Sequence, residues 1–356
     1  MLYVRKAEKC PEKLVKNGKC VFGGYDGHPE RLDIRGLSRV FLDLPIPEFL
    51  TNLHINSRLT FFFSIGEYIG SIDFFDAKIF GLVQVVFWNV ATKQRFSYRS
   101  VMGPRRRLVP HSLVKAATSS YKKSRYVRIS WDRTLSKLSA IFHLKGDSVR
   151  PSAEGAIKAV LHEISDEEAT LVLPAPTLRR GSARYNTVLP IHGAISLVES
   201  NHEKKLMDDA DGIAFLDMNR TYMKFINRTE FLTGLGFIGE KRVAFRIEAG
   251  SQDAVDPDKY NGNIFFYDGK KTLLPPVVIT HTYGIMKTWN IQDTENMIDL
   301  TFSPISDHRS YINTGAFKMD YHTIYGTFSG VLMTGEGEKI NINSIPGLTK
   351  TNLIRI

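Results

Sequence analysis

The chain has 356 residues, 43% of them hydrophobic and 24% charged, which is an ordinary globular composition with enough length for two domains or one large β body. Its two cysteines, Cys10 and Cys20, are too few for a disulfide-stapled secreted scaffold, so the expected compartment is reducing and cytoplasmic. A formal net charge of +10 favours anionic partners: nucleic acid, an acidic membrane surface or an acidic ligand.

The first twenty residues, MLYVRKAEKCPEKLVKNGKC, lack the apolar stretch of a secretory signal. The longest apolar runs, LTFFFSI from Leu59 and FGLVQVVFW from Phe80, are too short to cross a bilayer as helices, so the expectation is a soluble chain. Residues 1–50 read as an irregular arm, because Gly23, Gly24, Gly27 and several prolines break any period. From Leu59 onward, runs rich in aromatic and β-branched residues alternate with Gly, Asn, Asp and Lys turns, the pattern of successive antiparallel strands. One exception, PHSLVKAATSSYKK after Pro110, reads as a short helix. Residues 200–212, SNHEKKLMDDADG, are poor in apolar residues and read as a connection, after which the strand series restarts.

Two sets of about ten strands imply two closed or nearly closed antiparallel barrels, since closure removes exposed edges. The boundaries are 51–200 for an N-terminal barrel and 201–356 for a C-terminal one, with little helix in either. Gly326 and Gly330, inside the run TIYGTFSGVLM, mark a bend or a close backbone approach.

The segments IDLTFSP (Ile298–Pro304) and YGTFSGVLMTGEGEKINI (Tyr325–Ile342) resemble the C-terminal signature of the DUF2804 family. Further matches are FYDGKK (Phe266–Lys271), AFLDMNRTY (Ala214–Tyr222), LPIHGAISL (Leu189–Leu197) and NGK (Asn17–Lys19), so the resemblance covers nearly the whole chain. It implies kinship with two-barrel lipocalin-like proteins such as the carotenoid hydratases, and hence two consecutive lipocalin-like barrels whose interiors hold a lipophilic ligand. The chain departs from the family pattern at Gly262, at Phe231 where an indole is expected, and near its end at Lys350, Asn352 and Ile356. Those departures bear on any shared activity and leave the fold untouched.

Among candidate motifs, GLGFIG (Gly234–Gly239) has the spacing of a dinucleotide loop, but the strand-like EKRVAFRIEAG follows where a helix is needed, so a glycine-rich hairpin is expected and no cofactor. Cys10, Cys20 and His28 lack the spacing of a zinc site, and no metal is expected. The basic stretches GPRRRLVPH (Gly103–His111) and YKKSRYVR (Tyr121–Arg128) suit phosphates, with Tyr121 and Tyr126 as stacking faces, or read as solvated loops. Ligand-binding candidates in the family-matching segments are Asp217, Arg220, Tyr222 and Trp289, with His281 and Tyr283 nearby in sequence. Asp217 and Arg220 also read as a structural ion pair, and Asp217 with His281 as an acid pair for hydration or isomerisation. Two function classes stay open. One is a lipophilic-ligand protein, carrier or enzyme, for which acidic lipids suit the positive charge. The other is a non-enzymatic module whose basic surface holds nucleic acid or anionic membrane lipid.

Overall fold

The computed structural model describes residues 3, 5–41, 44, 46–104, 108–163, 165–175, 177–198, 204–205, 209–222, 226–249, 256–313 and 318–355. Helix among the described residues amounts to one α-helix, Glu48–Leu53, and one 3-10 turn, Arg133–Leu135. Nearly everything else that is regular is antiparallel strand.

Ten strands form the path of the first sheet, in the order Arg95–Met102, Gly81–Asn89, Tyr68–Asp76, Ile55–Ile65, Ala210–Tyr222, Gly181–Val198, Ser152–Ala159, Lys137–Leu144, Arg125–Asp132 and Lys115–Lys122. This sheet curls into a nearly closed barrel. The Arg125 guanidinium reaches across the opening between the two end strands to the Arg99 carbonyl. The second sheet, a half-barrel, has nine strands in the order Lys270–Leu273, Ile264–Tyr267, Lys241–Glu248, Ile226–Ile238, Lys339–Arg355, Lys318–Met333, Ile298–Asn313, Trp289–Gln292 and Val278–Thr280. The chain passes from one sheet to the other between Tyr222 and Ile226: strand Ala210–Tyr222 pairs with Gly181–Val198 on one side and Ile55–Ile65 on the other. Of the polar connection read from the sequence, most of 200–208 lies outside the described residues.

The apolar runs have a physical reason. Strands Tyr68–Asp76 and Gly81–Asn89 are buried at every residue, whereas Arg95–Met102 and Lys137–Leu144 alternate between buried and exposed. The first pair has the barrel core on one face and the second sheet on the other, while the second pair keeps one face in water. The three largest of four apolar clusters follow from this. One fills the first barrel, and it includes Leu14, Tyr25, Leu32, Ile34, Leu37 and Val40 from the N-terminal arm. A second lies in the concave face of the half-barrel around Trp289, Phe302 and Phe328. The third joins the backs of the two sheets through Phe62, Trp88 and Phe215 on one side and Phe231, Phe266 and Tyr325 on the other.

The arm is therefore less irregular than its composition implied: strand Gly23–Asp26 pairs with Glu168–Pro174. The helix expected after Pro110 is not formed. Lys115–Lys122 is a strand, and its inward positions Ala116, Thr118 and Ser120 have period two, which the run of small residues concealed. The hairpin expected at Gly234–Gly239 is present, but only Gly239, at φ +60°, is in the turn; Gly234 and Gly236 lie within strand Ile226–Ile238, opposite Phe245 and Val243 of Lys241–Glu248. Gly330 sits at φ +134° beside a β-bulge, and a Cβ there would lie 2.1 Å from the Asp299 carbonyl oxygen, the close approach its position suggested.

Candidate functional site

Successive side chains of a strand point to opposite faces, so residues three apart cannot share a pocket. Asp217 and Arg220 obey this rule, and the ion pair expected between them is absent. Asp217 faces the second sheet, while Arg220 and Tyr222 point toward the first barrel's interior, at the end where Ile55–Ile65 begins and Tyr68–Asp76 finishes. The remaining candidates lie in the half-barrel. Trp289 is fully buried, donates Nε1–H to the Ile285 carbonyl at 2.9 Å and stacks on His281 at 4.2 Å. His281 Nε2 lies 3.1 Å from the Glu230 carboxylate, and Tyr283 is 85% exposed. The six candidates thus occupy three places, and Asp217 and His281 form no acid pair.

Asp217 belongs to a buried polar seam between the sheets. Its Oδ2 accepts from Arg246 Nε at 2.9 Å, and Arg246 also donates to Glu248 at 2.9 Å. Arg184 of the first sheet forks onto the same Glu248 at 3.1 and 2.9 Å. Burial alone would raise the Glu248 pKa, but the guanidinium groups of Arg184 and Arg246 outweigh it and bring the value to about 2. Farther along the seam, Lys350 Nζ lies 2.6 Å from both oxygens of Asp73, which also accepts from Thr60 and Ser71. Burial lowers the Lys350 pKa to about 8 against the opposing pull of Asp73, so the pair is still charged at neutral pH. Phe231 lies under the Arg246 guanidinium, and a Cβ on Gly262 would collide with Glu248. Departures from the family pattern at Gly262, Phe231 and Lys350 therefore fall on this seam, where they build a lock of paired charges.

The mouth of the first barrel is different. Arg220 is 2% exposed and donates to Ser57 Oγ at 2.6 Å and to the carbonyls of Val109 and Pro110 at 2.9 and 2.8 Å. No carboxylate oxygen of the described residues lies within ion-pair distance of it, and its Nε has no hydrogen-bond partner among them. Burial lowers the Arg220 pKa to about 10 against the more distant charges of Asp33 and Asp76, so the group stays cationic. Beside it, the buried Tyr222 hydroxyl makes no hydrogen bond among the described residues, and burial raises its pKa. His111 is 3.4 Å from Asp33, yet burial, with the Arg220 charge next, pushes its pKa down to about 3, so the imidazole is neutral.

Over this end lies a concavity of about 290 Å³ lined by Leu37, Val40, Phe41, Leu44, Ile46 and Thr51, with Arg39 and Glu48 at its rim. The Arg180 guanidinium covers the Phe41 ring at 4.5 Å and donates to the Val40 carbonyl, and it too has no carboxylate partner among the described residues. A second concavity of about 300 Å³ lies near Tyr3 and Lys6, where Lys271 is paired with Asp26 and Arg5 is bonded to the Asn261 and Asn263 carbonyls.

The family model described as a domain of unknown function, DUF2804, matches residues 58–355. The chain belongs to the DUF2804 family. Among solved structures, it is similar to a putative ATTH from Nitrosomonas europaea at 11% identity and a TM-score of 0.51, over 83% of this chain and 91% of that one. A kievitone hydratase from Nectria haematococca is similar at 10% identity and a TM-score of 0.44, over 84% and 88%. No curated protein matches. The first likeness shows the fold, a lipocalin-like pairing of a barrel with a half-barrel.

Sequence reasoning found Arg220 and Tyr222 but missed Asp33, His111 and Arg180, which join them through the arm, the segment before strand Lys115–Lys122 and the turn before Gly181. The signal for the seam was a charge inside an apolar strand run, as at Asp73 in SIDFFD and Arg246 in VAFRIE. The basic hairpin places Tyr121 directly opposite Tyr126 at the edge of the first sheet, with ring centroids 6.2 Å apart. Arg105, Arg106 and Arg107 lie outside the described residues.

Proposed function

We propose that this DUF2804 chain binds a lipophilic small molecule with an anionic head group at the mouth of its first barrel. The observation that carries the reading is the buried Arg220 guanidinium without a carboxylate in contact among the described residues, beside the unbonded Tyr222 hydroxyl at the barrel end where a concavity of mixed polar and apolar lining lies. Asp33 and Asp76 act on Arg220 only from beyond contact distance, and a buried cation without a contacting counter-charge is costly, a cost that an anionic ligand offsets. Barrel mouths are a usual place for such ligands, and here Leu37, Val40, Phe41, Leu44 and Ile46 supply the apolar part of the lining. Arg180 and Arg220 supply the field for the head group, and Phe41, Leu44 and Ile46 cover the chain. The reading is one of binding. The neutral His111, with its pKa near 3, is a poor proton acceptor, and no chemical step is assigned to it.

Calorimetric titration with straight-chain carboxylates and the alcohols of equal length tests this. The acid binds better, by about tenfold, in the unaltered chain, one charge-assisted contact being worth that much. Arg220→Met removes the preference while leaving alcohol affinity in place. Equal affinity for acid and alcohol in the unaltered chain overturns the reading.

A further inference from the structure

Five exposed large apolar side chains, Leu44, Ile46, Phe49, Leu50 and Leu53, come from ten consecutive positions at the barrel mouth. Phe49 is 68% exposed, Leu44 65% and Leu53 53%. Helix Glu48–Leu53 turns only Thr51 inward, with its hydroxyl tied to the Glu48 carbonyl at 2.9 Å. Phe49, Leu50 and Leu53 have the i, i+1, i+4 spacing of one helix face, and they point away from the barrel. Ile79, 57% exposed, stands in the turn after strand Tyr68–Asp76 at the same end. Single exposed apolar residues need no explanation, but a contiguous group marks a surface that is covered in use.

The charges around this group suggest what covers it. Arg31, Arg35, Arg39, Lys78, Arg179 and Arg180 outnumber Asp33, Glu48 and Asp76. Arg35 is tied to Asp33 at 2.5 Å and Lys78 to Asp76 at 3.0 Å, Glu48 opposes the cations from within the helix, and the excess rests on Arg31, Arg179 and Arg180. A second copy of the chain would bring this cationic ring against itself, and like charges across an interface disfavour association. An anionic lipid surface fits both parts, because apolar side chains enter the acyl boundary while the cations meet head groups.

We propose that the 44–53 segment, with Ile79, docks the barrel mouth onto an anionic bilayer surface. The orientation turns the 290 Å³ concavity toward the membrane. A ligand drawn from the bilayer then enters without crossing water, although docking itself needs no bound ligand.

Co-sedimentation with vesicles of phosphatidylcholine alone, or with about 30% phosphatidylglycerol, tests the docking. These vesicles contain no free acid, so the result is independent of the small-molecule reading. The unaltered chain partitions about tenfold more strongly onto the anionic vesicles, and added salt weakens this. Phe49→Glu with Leu53→Glu removes most of the binding, whereas Val149→Glu, at a position 87% exposed on another loop, changes nothing. Thermal melts confirm that each variant is folded, as expected for side chains that face solvent. Absence of binding to anionic vesicles, or equal binding by the double variant, overturns the proposal. So does light scattering that shows a dimer which the double variant dissociates, since the face then belongs to a second copy.

Discussion

The seam between the two sheets and the mouth of the first barrel both bury arginines, yet they treat the charge in opposite ways. In the seam, Arg184, Arg246 and Lys350 each meet a carboxylate at 2.6 to 3.1 Å. At the mouth, Arg220 meets a hydroxyl and two carbonyl oxygens, which satisfy hydrogens without cancelling charge. A paired buried charge fixes the relation of two elements, because breaking it strands the partner. An unpaired one leaves a positive potential directed at whatever approaches. Asp33 and Asp76 act on Arg220 only from a distance, so the contrast teaches that burial of charge is not in itself a sign of a binding site; the lack of a contacting counter-charge is.

If the seam is a lock, Lys350→Met gives the largest effect. It leaves Asp73 buried and unpaired and lowers unfolding stability by about 3–5 kcal/mol in denaturant titrations. Replacing both partners, Asp73→Leu with Lys350→Met, restores most of that loss, since well-packed apolar groups substitute for a buried pair. A double variant as unstable as the single one would break the lock argument. Gly330→Val calibrates a purely steric insult away from the mouth. With φ at +134° and the Asp299 carbonyl where the Cβ would go, it costs about 2–3 kcal/mol and leaves any acid-over-alcohol preference intact.

Arg220→Met comes next, with a stability loss of about 1–2 kcal/mol in the same titrations. Ser57 and two carbonyls lose their donor, but a desolvated charge is also removed. A loss as large as that of Lys350→Met would place Arg220 with the structural charges and sharpen the comparison against us.

The smallest effect is on pH dependence. The His111 pKa falls from 6.5 to about 3 on folding and that of His308, whose Nε2 lies 3.1 Å from Ser97 of the first sheet, to about 4, both chiefly through burial. The folded state therefore binds fewer protons than the unfolded state, and the contribution of each histidine is lost as pH falls from about 6.5 toward those values. Each group contributes a slope of at most about 1.4 kcal/mol per pH unit in that window. His111→Gln should flatten the acid limb of the stability profile by part of that slope, and an unchanged acid limb would contradict the assignment.

Much of the fold was legible. Two-sided burial writes itself as unbroken apolar runs such as LTFFFSI, and positive φ or close approach writes itself as glycine at 239 and 330. The site was legible only in part. Arg220 and Tyr222 stand out as polar residues in a family-matching strand, and their shared parity was available from the sequence. The assignment of Asp217 to the same site failed because its parity was not applied. The partners of these residues could not be read locally, since Asp73 and Lys350 are 277 residues apart and Arg220 and Val109 are 111 apart. Nothing in a strand pattern tells which outer face a second sheet will cover.

The most direct test of the account compares acid and alcohol affinities in three proteins: the unaltered chain, Arg220→Met, and the double variant Asp73→Leu with Lys350→Met. The account predicts about a tenfold preference for the acid in the first and third and none in the second. A preference that survives Arg220→Met, or one that disappears when only the seam is altered, would place the binding charge in the seam and contradict the division drawn between the two regions.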